Sequence, residues 1–236
     1  MTETARLKLP LVQAAQAQKH VTVNEAFLRV DALAQAVIAS RSVSVPPPLA
    51  ADGALYAVAA GASSAWAGQE GRLALWLNGG WAFLDPAAGW RAWITDEGVA
   101  ALHDGTEWAT SAVAASPGGA AFGVRVIEID HAVSTGATST TLPVVPQGAV
   151  VFGVTGRVLS DLGGTATGFA LGVDGATDRY GSGIGTGAGA WFRGVTGTPV
   201  AYYEDTALLF TAEGGDFGGG MVRLAVHVAE LGLPRV

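Results

Sequence analysis

The sequence predicts a mainly β protein: a short N-terminal helical segment, a small Trp-rich antiparallel β module and a C-terminal Gly-rich β-sandwich or jelly-roll-like domain. Three observations carry this expectation. Glycine and proline are missing from Leu11 to Arg41 and common afterwards. Six of the seven tryptophans fall between residues 49 and 112, among turn signals. From residue 126 onward, short apolar runs recur between Gly-rich turns.

In the first segment, residues 1–45, Asn24-Glu25 reads as a helix start, because a short polar side chain accepts from the orphan N–H groups of a first turn. Ala26, Val30, Leu33 and Val37 follow at steps of four and three, giving one apolar stripe with Phe27 beside it and Arg29, Asp31 and Gln35 off it. Two roles stay open for the stripe. It packs on its own domain, or it joins chains in a short parallel bundle, since a lone helix of this length is marginal. Val45-Pro46-Pro47-Pro48 ends the segment, because prolines donate to neither helix nor sheet.

The second module spans 46–115. Asp52-Gly53 precedes Leu55–Val58, and Leu75-Trp76-Leu77 and Trp81–Leu84 flank Asn78-Gly79-Gly80, a strong hairpin signal. Trp76–Trp81 and Leu102–Trp108 look like a degenerate internal repeat around Asn-Gly and Asp-Gly turns. The clustered rings serve either as a sugar-stacking platform or, the reading favoured here, as the core filling of short strands. Ala112–Gly123 is a flexible small-residue connector, with the linker placed at 116–124.

The C-terminal domain, 125–236, has strands expected at Val126–Asp130, Val150–Thr155, Gly168–Val173, Leu208–Thr211 and Val222–Val228, the last with Arg223, Ala225 and His227 on its polar face. Residues 126–236 hold 22 of the 34 glycines and ten acids against five arginines.

Composition excludes several function classes. The chain has no cysteine, so disulfides, thiolate zinc sites, iron–sulfur clusters and thiol catalysis are out. Thirteen basic against 20 acidic residues and no basic run leave no footprint for nucleic acid. No apolar stretch reaches 18 residues, so no membrane insertion is expected, and the charged N-terminus is not a signal peptide. Charged residues are only 14% of the chain, as if much surface is hidden in a symmetric oligomer; a GC-rich genome would bias the composition the same way.

Chemical motifs are sparse. Gly185–Ala190 fits a loose dinucleotide pattern, but the Gly- and Pro-containing run 191–199 cannot supply the helix such a site needs. The four histidines lie in four different segments. No catalytic residues, cofactor or metal are expected. Asp174 and Asp178 are four apart in a Gly-containing turn and miss the EF-hand pattern; turn formation, with Arg179 paired to one of them, competes there with calcium binding. Tyr202-Tyr203-Glu204-Asp205 is a second polar, aromatic loop. Rings stack on apolar sugar faces and carboxylates accept hydroxyl protons, so the carbohydrate-binding candidates are Asp174, Asp178, Arg179, Tyr180, Trp191, Tyr202, Tyr203 and Glu204. The acidic balance of this domain disfavours an anionic partner by long-range repulsion.

Leu9-Pro10-Leu11 and Gln16–Ala26, followed by the prolines, Asp52-Gly53, Tyr56, Trp66-Ala-Gly68, Trp76, Gly80-Trp81, Pro86 and Gly89-Trp90, resemble a domain-of-unknown-function family. That family is found in tail-fibre and head-spike proteins of alphaproteobacterial prophages and gene transfer agents. Asp178–Gly185, Tyr202-Tyr203, Gly214–Phe217 and Val222–His227 resemble the domain often fused behind it. The resemblance implies a virion protein, a homotrimeric head spike or tail fibre on the surface of a phage-like particle that attaches to the host envelope; it implies no catalysis and carries over no ligand-contacting residue. Joined to the reading of the loops above, the expectation is an adhesin that docks on the particle head or tail through its N-terminal segment and binds host capsular polysaccharide. Candidate oligomerisation residues are Ala26, Val30, Leu33 and Val37. The alternatives are a polysaccharide-degrading spike and a purely structural attachment collar.

Overall fold

The computed structural model describes residues 3–12 and 19–236; the Gln16–Gln18 part of the family signature lies outside them. The described residues are mainly β, with one α-helix, a short 3-10 turn at Ser64–Trp66 and several sheets of chiefly antiparallel strands. The chain divides into two compact units, residues 1–121 with 233–236, and residues 122–232.

The N-terminal unit begins with α1 (Lys19–Leu33) and β1 (Val37–Ile38), then β2 (Leu55–Ala57), β3 (Leu73–Leu77), β4 (Gly80–Leu84), β5 (Arg91–Ile94), β6 (Val99–His103), β7 (Trp108–Thr110) and β8 (Ala112–Ala115). Strands β2-β3-β4 form one sheet and β1-β5-β6-β7 another, in which only the β1–β5 pair is parallel. The expected hairpin at Asn78-Gly79 joins β3 to β4, and both residues take positive φ (50° and 80°), as a two-residue turn matched to strand twist requires. The suspected repeat is real at the level of hairpins. Trp76 pairs across strands with Trp81, and His103 with Trp108, with ring centres 4.9 and 5.0 Å apart. The tryptophans act chiefly as filling: Trp66 and Trp108 are buried, and Trp81 packs beside Trp66.

Three expectations for the first segment need correction. Asn24 lies inside α1, not at its start, and its side chain bonds both backbone groups of Val12. The segment is not separate from the β module, because Ala32, Ala36 and Ile38 share one core with β2, β3 and β5. The face of α1 that meets this core carries Leu28 and Ala32, with Leu33 partly buried, while Ala26 and Val30 are exposed and Val37 belongs to β1. The helix is therefore turned relative to the expected stripe. Asp31, off the expected stripe, is buried on this face at 2% exposure. It accepts from the Thr4 hydroxyl at 2.6 Å and from the backbone N–H groups of Arg6 and Leu7. Burial opposes its charge, but these donors win and hold its pKa below the usual value.

The C-terminal unit contains β9 (Ala121–Ala132), β10 (Thr138–Val145), β11 (Val150–Ser160), β12 (Gly168–Val173), β13 (Ala176–Ile184), β14 (Trp191–Ala201), β15 (Thr206–Glu213) and β16 (Met221–Gly232). Their order is β10-β15-β12-β13 in one sheet and β14-β11-β16-β9 in the other. A single core between them draws on both, as in a sandwich: Val154, Phe192, Leu224 and Val226 from one, Phe169, Leu171, Leu208 and Phe210 from the other. β16 alternates as expected, burying Val222, Leu224, Val226 and Val228. The sequence gives no strand signal for β10 or β13, and of β14 only the end, Thr198–Ala201, reads as strand-like. The supposed acidic loop 174–180 is a two-residue turn, Asp174–Gly175, followed by β13. Part of the expected linker is likewise strand, since β9 starts at Ala121. Where β14 passes β13, a Cβ at Gly194 would sit 2.0 Å from the Tyr180 carbonyl oxygen, so only glycine fits.

Candidate functional site

The turn between β12 and β13 supplies Asp174, and β13 supplies Arg179. The loop from β14 to β15 supplies Tyr202, Tyr203, Glu204 and Asp205. Together with Thr140, Thr206 and Leu209 these residues line an open cleft of about 680 Å³. The loop is tied down by the preceding β10–β11 connection. The Gln147 backbone N–H donates to Asp205 Oδ1 at 2.8 Å and its side chain to the Tyr203 carbonyl at 2.9 Å. Gly148 N–H donates to the Tyr202 carbonyl at 2.8 Å, and Tyr202 N–H to the Ala149 carbonyl at 2.9 Å.

Five of the eight carbohydrate candidates meet here: Asp174, Arg179, Tyr202, Tyr203 and Glu204. They differ in availability. Tyr202 is 8% exposed, and its hydroxyl meets that of Tyr180 at 2.6 Å. The Arg179 guanidinium lies 6.0 Å from the Tyr202 ring centre, at the edge of cation–π range. Tyr203 is 83% exposed and presents its ring to solvent. Three carboxylates against one guanidinium make an acceptor-rich site, suited to hydroxyl donors beside an aromatic face.

The other three candidates lie elsewhere. Tyr180 belongs to the core at 2% exposure, and burial, with the bond to Tyr202, pushes its hydroxyl far above the usual pKa. Asp178 is exposed on β13 and does not line the cleft. Its expected pairing with Arg179 is not formed: among the described residues Arg179 has no carboxylate within ion-pair distance, and it takes the Tyr202 ring instead. Trp191, 65% exposed, starts β14, whereas Tyr202 follows its end. Polar cleft residues outside the eight candidates are Asp205, which ends the Tyr202–Asp205 loop, Thr206 at the start of β15, and Thr140, whose Thr/Ser-rich strand carries no sequence signal.

The described histidine side chains do not converge on the cleft. His103 packs on Trp108, His131 bonds Ser139 at 2.8 Å and His227 bonds Thr155 at 3.1 Å. Burial lowers the pKa of both His103 and His131. No helix among the described residues is long and apolar enough to cross a membrane.

Among solved structures, the chain is similar to the Cyanophage Pam1 capsid asymmetric unit, at 24% identity and a TM-score of 0.36, over 45% of this chain and 84% of that one. No curated protein matches it. Residues 23–109, from within α1 to β7 of the N-terminal unit, are similar to the family model described as "Protein of unknown function (DUF2793)".

Proposed function

We propose that the protein is a non-enzymatic adhesin of a phage-like particle that binds host surface polysaccharide through the C-terminal cleft. The observation that carries this reading is the convergence of Asp174 from the β12–β13 turn, Arg179 from β13, and Tyr203 and Glu204 from the β14–β15 loop on one open acceptor-rich surface with an exposed ring. The N-terminal unit, which contains the residues similar to that family model, is the particle-attachment part, in line with the resemblance of its residues to fibre and spike modules. A homotrimer would present three weak clefts to one polymer and gain affinity by effective concentration. Ala26, Val30 and Val37, exposed on one side of the N-terminal unit's helix and first strand, remain available for that contact, whereas Leu33 serves the core.

Binding of the full chain to encapsulated and capsule-deficient host cells tests the reading. Tyr203→Ala with Glu204→Gln, both exposed positions, should weaken binding to encapsulated cells about tenfold or more with the fold intact. Equal binding to both cell types would sink it. Shortening of isolated capsule chains by the protein would replace it with a polysaccharide-degrading spike.

A further inference from the structure

Trp191 opens a second surface. On the outer face of the β14-β11-β16-β9 sheet, strand pairing sets Trp191 beside Arg157, and Arg157 beside Arg223; one rung along, Arg193 faces Thr155. Alternate residues of a strand share a face, and these side chains line a shallow groove of about 500 Å³.

Charge is concentrated here against the trend of the unit. Residues 122–232 hold five arginines and ten acids, and three of those arginines, Arg157, Arg193 and Arg223, sit in this groove with one carboxylate, Glu128, which lies 3.7 Å from Arg223. Arg223 is already satisfied by Asp130, at 2.7 Å through two nitrogens. Arg157 gives only a 3.3 Å bond to the Gly189 carbonyl. Among the described residues, neither Arg157 nor Arg193 has a carboxylate within ion-pair distance. Two unspent guanidinium forks therefore flank an indole that is 65% exposed.

We propose that this groove binds a carboxylate-bearing sugar of an acidic polysaccharide. The indole stacks on the apolar face of the ring, and Arg193 and Arg157 take the carboxylate, a planar group that matches the guanidinium fork. The overall acidity of the unit does not forbid this, because beyond a Debye length of about 8 Å at physiological salt exposed charges are largely screened. The groove is distinct from the cleft. Trp191 and Tyr202 are separated by the full length of β14, about 35 Å at the rise of an extended strand. The cleft is rich in carboxylates and repels what the groove attracts, so the two sites suit different sugars of one polymer. The proposal rests on the adhesin reading only for the kind of polymer that carries the carboxylate.

Calorimetric titration of the full chain with polygalacturonate oligosaccharides tests it, with dextran and poly-glutamate as controls. Polygalacturonate should bind, more weakly as salt rises, and Arg193→Gln or Trp191→Ala should each cost about tenfold in affinity. No binding by the parent, unchanged binding by the folded variants, or equal affinity for poly-glutamate would overturn the groove. Loss of polygalacturonate binding in Tyr203→Ala instead would move the acidic chain to the cleft and also overturn it, while leaving the adhesin reading standing. Failure of the capsule-dependent cell assay with a positive titration would do the reverse.

Discussion

In the N-terminal unit Trp66 is fully buried, with the rings of Tyr56 and Trp81 5.5 and 5.0 Å from its own and Trp76 4.9 Å from Trp81; in the C-terminal unit Trp191 stands 65% exposed and Tyr203 83%. Strand length explains the contrast. β2 to β8 are three to five residues long, so each offers one to three inward positions, and only large rings can fill a core from so few. β9 to β16 run from six to twelve residues, and two sheets of Val, Leu, Ile and Phe fill the space between them. Aromatics are then free for the surface. Clustered aromatics among short strands therefore fill a core, and isolated ones beside glycines and charges stand on the surface.

The largest test of this contrast is Trp66→Ala, which should cost about 3–5 kcal/mol by removing the ring that anchors the aromatic cluster. Hydrogen exchange should show the loss in β2–β4, with β11, β12 and β16 keeping their protection. Equal loss in both units would break the comparison. The C-terminal counterpart is Gly194→Ala. Its Cβ would collide with backbone rather than with a movable side chain, so the cost should reach about 3 kcal/mol, the upper end for overpacking. If exchange in β13 and β14 is unaffected, the close approach is not what holds these strands together.

How much of this was legible follows from the same physics. The Asn78-Gly79 turn, the alternation of β16 and the apolar run of β12 were readable because each has a local rule behind it. β10, β13 and all of β14 but its end at Thr198–Ala201 were not, because their Thr, Gly and Asp residues lack an apolar period. Their strand character comes from pairing with β15, β12 and β11, which is tertiary. The helix was found and its start misplaced, since Asn24 bonds an upstream backbone instead of a first turn. Of the site, the aromatic and acidic residue types were readable. Asp174-Gly175 carries the same local turn signal as Asn78-Gly79, but which residues face one cleft was decided by strand pairing and by the buried Tyr180–Tyr202 bond, neither of which leaves a sequence period.

A smaller effect is expected at Asp31, which ties Thr4, Arg6 and Leu7 to α1. Asp31→Asn keeps the shape and loses the charge, so about 1–3 kcal/mol should go. Its folded pKa is depressed, so its contribution is complete above the unfolded value of about 3.9 and fades as pH falls through the lower folded one. Between pH about 5 and 2, the Tm of the parent should therefore fall more steeply than that of the variant. Parallel curves would remove Asp31 from the acid response.

The smallest effect, and the finest probe of the two roles tyrosine plays in the C-terminal unit, is the Tyr180–Tyr202 pair. Either hydroxyl alone, once its partner is removed, is a polar group held in an apolar core without a bond. Tyr180→Phe and Tyr202→Phe should each cost about 1–2 kcal/mol for that reason. Removing both hydroxyls leaves two rings of unchanged shape and no orphan, so the double variant should be more stable than the sum of the singles predicts, by about 1 kcal/mol. Sugar binding should separate the roles further. The double variant keeps the Tyr202 ring beneath Arg179 and leaves Tyr203 untouched, so cell binding should survive it while Tyr203→Ala loses binding with little change in stability. If the double phenylalanine variant is fully stable and no longer binds, Tyr202 touches the ligand through its hydroxyl, and the division between a buried supporting tyrosine and an exposed binding one is wrong.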